Sequence, residues 1–138
     1  MKIKIDFSDF CGGFNKTDNY FYNLLKEEFD VEISENPDFI FFSVFDNGVY
    51  SNGIRGREHK KYNCKKIFYS GEPTSPNYND CDYSMSFDWI QSEKHLRLPL
   101  YAIWGNSYYD LENNKIKQEY SKENIKNFLL NIIGLPKK

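Results

Sequence analysis

The chain has 138 residues and a mass of 16.4 kDa, the length of one ordinary domain with room for a real hydrophobic core. Its 18 Lys and Arg against 20 Asp and Glu exclude the basic excess of a dedicated nucleic-acid binder. Its longest apolar runs, such as Phe39-Ile40-Phe41-Phe42, are far too short to span a bilayer. An aromatic share of 18 % excludes a disordered tail.

Lys2, Lys4, Asp6 and Asp9 break up any signal-peptide h-region. Three cysteines (Cys11, Cys64 and Cys81) without CxxC spacing predict reduced thiols. Together these point to a cytoplasmic protein with no membrane span and no nucleic-acid partner.

Lys2 to Phe7 alternates polar and apolar residues and predicts a strand. Asp9 to Lys16, with Gly12-Gly13 and Asn15, predicts a loop. Thr17 is the expected N-cap of a helix that carries Phe21, Leu24, Leu25 and Phe29 at helical spacing. Asp30 to Ser34 alternates again. After the Glu35-Asn36-Pro37 turn, Asp38 to Phe45 is an apolar run of strand length, as in parallel strands buried on both faces.

Residues 46–64 are rich in Gly, Asn and charge and predict an exposed connection with one helical turn. Lys65 to Ser70 and Asp82 to Phe87 predict two more strands. His95 to Tyr101 is extended, and Pro99 confines it to an edge or a strand end. Ser121 is placed to cap a last helix bearing Ile125, Phe128, Leu129, Ile132 and Ile133, stopped by Gly134 and Pro136. The order predicts a single α/β domain over residues 1–138: a Rossmann-like, mostly parallel sheet with flanking helices.

In such sheets, ligands sit beyond the carboxyl ends of the strands, and three segments reach that position. Phe10-Cys11-Gly12-Gly13-Phe14 is either a turn before the first helix or a phosphate loop without the GxGxxG spacing. In Tyr69-Ser70-Gly71-Glu72-Pro73, the proline restricts the residue before it, so Glu72 is either a well-fixed general base or a solvated loop carboxylate. Asp88 and Arg97 end the next two segments, where they bind sugar hydroxyls or pair with each other.

Phe14, Trp89 and Trp104 are candidates for stacking on sugar faces, or for the core. Cys64, Cys81, His59 and His95 lack metal-ligand spacing, and no metal or resident cofactor is expected.

The run Lys66-Ile67-Phe68-Tyr69-Ser70-Gly71-Glu72 is followed by Ser75-Pro76-Asn77-Tyr78-Asn79 and Asp82-Tyr83. Then come Phe87-Asp88 and Leu96-Arg97-Leu98-Pro99-Leu100-Tyr101. In order and gaps this resembles the N-terminal half of the α1,3-fucosyltransferases, whose pattern is GEN, PNFN, DYAIGFD and YLRxPLY. The resemblance extends more weakly to residues 2–101.

It implies one half of a GT-B glycosyltransferase, an inverting enzyme that moves fucose from GDP-fucose to a glycan hydroxyl. The implied general base is Glu72, and the implied acceptor-binding residues are Tyr69, Asn77, Asp88 and Arg97. Pro73 stands where the family has Asn. The family's GDP-binding FExS and GYVTEK segments do not occur in the sequence. The expected function is therefore that of an acceptor-binding domain, with GDP-fucose brought by a donor-binding domain or a second polypeptide. The alternative is a non-catalytic glycan-binding or protein-interaction module that retains the fold.

Overall fold

The computed structural model describes residues 1–45, 58–100, 103 and 122–134. Alternation along β1 (Lys2–Ser8) sends Ile3, Ile5 and Phe7 to one side and Asp6 and Ser8 to the other. Beside β1 lie β2 (Asp30–Ile33) and β3 (Phe39–Phe42). Next follow β4 (Lys65–Tyr69), β5 (Tyr83–Ser86) and β6 (His95–Arg97), giving one six-stranded sheet in the order β2-β1-β3-β4-β5-β6. Every pairing is parallel. The expectation of a mostly parallel sheet holds, and β6, which leads into Pro99, is an edge strand.

Register sorts the side chains into two faces. Phe7, Phe41, Ile67 and Tyr83 form one cross-sheet row, and Ser8, Phe42, Phe68, Ser84 and His95 form the row opposite. The first row meets Phe21, Leu24 and Leu25 of α1 (Tyr20–Lys26) and Ile125, Leu129, Leu130 and Ile132 of α2 (Lys122–Ile133) in a single core cluster. Full burial of such side chains contributes about 1.5–3 kcal/mol each. Lys126 pairs with Glu27 at 3.0 Å and with Glu28 at 3.4 Å, tying α2 to the end of α1.

The second row is covered by irregular chain. Phe42, Phe68 and Cys81 cluster there, and the His59 ring stacks on Phe42 with centroids 3.9 Å apart. His59 belongs to the one-turn 3-10 helix Glu58–Lys61, the turn expected in the connection. That connection was expected to be exposed, but His59 is only 2 % accessible, because its carboxylate partner draws it under the sheet.

The N-cap of α1 also moves. It is Asn19, whose Oδ1 accepts from the Tyr22 amide at 3.0 Å. Asn15 Oδ1 captures both the amide and the hydroxyl of Thr17, so the helix starts later than Thr17 would set it. Tyr101, Trp104 and Ser121 lie outside the described residues.

Candidate functional site

The strand order changes direction between β1 and β3, which opens a crevice at the carboxyl ends of these strands. A cleft of about 640 Å³ lies there. Phe10, Cys11 and Phe14 come to it from the loop after β1, Ser43 and Phe45 from beyond β3, and Tyr69 and Glu72 from the end of β4. Its floor is aromatic: Phe10 and Phe14 stack at 4.2 Å, and Phe10 and Tyr69 at 6.5 Å. Burial pushes the Tyr69 phenol up to about 12, so it is a protonated donor at neutral pH.

Glu72 is exposed, yet its backbone is held. The Glu72 amide donates to Ser70 Oγ at 3.0 Å, and Ser70 Oγ donates to the Glu72 carbonyl at 3.1 Å. The same carbonyl accepts from the Thr74 amide at 2.7 Å. Ser70 is completely buried and anchored by its own amide on Met85. Gly71 permits this bend to lie against Leu100: a Cβ at Gly71 would come within 2.8 Å of Leu100 Cδ1.

A second, more polar hollow of about 300 Å³ adjoins the cleft across Ser43. Thr74, Ser75, Asn77, Asp80 and the His59 ring face it, over an apolar base of Phe42, Val44 and Phe68. Behind it lies Asp9, fully buried, with φ at 62° in the left-handed region that aspartate tolerates better than most residues. Its carboxylate accepts from Ser8 Oγ at 2.8 Å and from the amides of Glu58 and His59 at 3.1 and 3.0 Å. His59 Nδ1 approaches it at 3.0 Å.

Burial alone raises the Asp9 pKa, but these hydrogen bonds outweigh it and hold the group below its ordinary 3.8. The other ring nitrogen of His59, Nε2, is buried and has no hydrogen-bond partner among the described residues.

The residues singled out in the sequence therefore fall into three groups. Tyr69 and Glu72 share the main cleft, Asn77 lines the polar hollow, and Asp88 and Arg97 stand beyond it. Asp88 accepts from Ser75 Oγ at 3.0 Å and from Ser86 Oγ at 2.7 Å. The Arg97 Nε donates to the Phe87 carbonyl at 2.9 Å, and its guanidinium lies 3.9 Å from the Trp89 ring centroid.

Sequence reasoning missed Asp9, Ser43, His59 and Ser70. Asp9 had one legible signal, an acidic residue at a strand's end before a Gly-Gly loop. Ser70 acts through its hydroxyl on the backbone of Glu72 two residues on, and Ser43 and His59 through neighbours distant in sequence.

Residues 5–104 match the family described as the Alpha-(1,3)-fucosyltransferase FucT N-terminal domain. The chain belongs to that family. It is 35 % identical over 82 residues to the alpha-(1,3)-fucosyltransferase FucT of Helicobacter pylori, a stretch covering 58 % of this chain and 16 % of that protein. A crystal structure of an α1,3-fucosyltransferase superposes with a TM-score of 0.53 at 26 % identity, over 72 % of this chain and 29 % of the other. The chain thus spans only 16 % of the Helicobacter pylori relative and 29 % of the crystallised one. Its all-parallel sheet corresponds to the N-terminal part of the crystallised enzyme.

No helix among the described residues is long and apolar enough to cross a membrane, and no cluster of His, Cys, Asp and Glu there could hold a metal ion.

Proposed function

We propose that this domain binds the glycan acceptor of a fucosyltransferase reaction and that Glu72 is the general base. In a single displacement the acceptor oxygen attacks the anomeric carbon of GDP-fucose while the bond from that carbon to the diphosphate breaks. The hydroxyl proton must go to a nearby base. The observation that carries this reading is the clamp of Ser70 on Glu72, which fixes the carboxylate-bearing residue at the rim of an aromatic-floored cleft.

Tyr69, a protonated phenol at the same cleft, is a donor suited to a sugar oxygen. Asn77, Asp88 and Arg97 are the remaining acceptor-side candidates. Charge developing on the departing GDP needs its own stabilisation, which is commonly the larger electrostatic contribution. That task falls to a donor-binding domain or second polypeptide, with GDP-fucose as substrate.

The test pairs this domain with the donor-binding half of the Helicobacter pylori relative and measures fucose transfer to β-linked saccharides. Glu72→Gln should lower turnover by about 10²–10⁴-fold, the range of general-base catalysis, and leave saccharide binding unchanged. Full turnover in that variant removes Glu72 as the base. A wild-type chain that binds saccharides but never supports transfer leaves the second reading, a glycan-binding module.

A further inference from the structure

Ser43 lines both the Glu72 cleft and the polar hollow, so the two share a wall. From the wall of the hollow, Ser75 donates to Asp88, and the residue after Asp88, Trp89, is 79 % exposed. This indole is exposed but not loose. Arg97 covers one of its faces at 3.9 Å and is itself anchored on the Phe87 carbonyl. The backbone beside it is also fixed, because the Asp88 carbonyl accepts from His95 Nε2 at 3.0 Å and the Asp88 amide donates to Ser86 Oγ at 3.2 Å. The result is a large flat ring with one face backed by a guanidinium and most of its surface open to solvent. Such a ring adds little to a core.

We propose that the Glu72 cleft, the Asn77 hollow and the Trp89 ring are successive subsites of one strip. On this view the ligand of the strip is an oligosaccharide of several units rather than a single sugar. The proposal rests on the glycan-acceptor reading of the Glu72 cleft. Each part has the chemistry for it. Hydroxyl, amide and carboxylate groups of Thr74, Ser75, Asn77 and Asp80 complement sugar hydroxyls. An indole face, electron-rich at its centre, complements the apolar C–H face of a pyranose. Because Arg97 already fixes the ring, little side-chain freedom remains to be lost on stacking.

The test titrates the chain, by calorimetry, with β1,4-linked N-acetylglucosamine oligomers of increasing length and with N-acetyllactosamine and its dimer. Affinity should rise by about tenfold or more from the shortest to the longest member of at least one series. Trp89→Ala should cancel most of that gain and leave affinity for the shortest member unchanged, while Trp89→Tyr retains part of it.

Length-independent affinity, no binding in either series, or a Trp89→Ala protein equal to wild type on the longest ligand would overturn the strip. So would a Trp89→Ala protein that loses only a contact with another polypeptide. Glu72→Gln separates the two readings. If transfer survives that change, the base fails and the length dependence still stands; if transfer is lost but length has no effect, the strip alone fails.

Discussion

Ser70 Oγ binds both ends of Glu72, accepting from its amide at 3.0 Å and donating to its carbonyl at 3.1 Å. A buried hydroxyl so placed converts a surface bend into a fixed mount. Ser70→Ala removes both bonds and should cost about 1–3 kcal/mol of stability, measured by urea unfolding. In the paired enzyme it should lower kcat more than it raises KM, because Glu72 remains present but is less well aimed. An unchanged kcat would detach the clamp from catalysis.

Gly71→Ala tests the close approach of the chain leaving β6. The new Cβ would stand 2.8 Å from Leu100 Cδ1, and Leu100 is part of the cleft wall. The exposed leucine can swing aside, so stability should change by less than about 1 kcal/mol. The displaced side chain should still weaken saccharide binding to the cleft, which titration of variant and wild type side by side would reveal.

The Asp9–His59 pair predicts a graded series. Asp9→Ala leaves two amides, the Ser8 hydroxyl and the His59 ring facing a buried void and should cost about 3–5 kcal/mol. Asp9→Asn keeps an acceptor and tolerates the positive φ, so it should cost clearly less. Hydrogen exchange at the Glu58 and His59 amides should quicken in the same order. The wild-type pair also has an acid limb. Because the Asp9 pKa is depressed in the fold, its contribution is complete above about pH 4 and is lost as pH falls through the folded value.

His95 gives a second pH dependence, in a different window. Its Nε2 faces the Asp88 carbonyl, which only accepts, so Nε2 carries the proton and Nδ1 accepts from Ser84 Oγ at 2.7 Å. Tyr78 then donates to Ser84 Oγ, also at 2.7 Å. Burial lowers the His95 pKa below 6.5, only partly opposed by the Asp88 carbonyl. The unfolded chain therefore binds the proton first. Stability should be full above pH 6.5 and fall as pH drops through the folded value. Urea midpoints at several values between pH 7.5 and 5 should show this slope, and His95→Gln should flatten it.

The parallel strands were readable because Lys2–Phe7 alternates and Phe39–Phe42 is apolar throughout, patterns imposed by burial on one or both faces. The two α-helices among the described residues were legible from apolar spacing, but the start of α1 was not, since Asn15 and Thr17 form a local turn that competes with capping. Glu72 could be singled out because Gly and Pro flank it. The sharing of Ser43 between two hollows, and the burial of His59 beneath β3, depend on residues far apart in sequence, and no local pattern encodes them. Asn77, implied on the acceptor side together with Tyr69, faces the adjoining hollow instead of the cleft that Tyr69 lines.

The three thiols differ in a way that makes the cleft chemically addressable. Cys81 is buried against Phe42 and Phe68, where desolvation pushes its thiol up to about 12, and burial also raises that of Cys64. Cys11 is exposed on the cleft wall. Limited alkylation should therefore mark Cys11 first, detectable by peptide mass mapping, and a saccharide seated beside it should slow the reaction. A fluorophore attached at this one sulfur would then report occupancy directly, without any engineered attachment point.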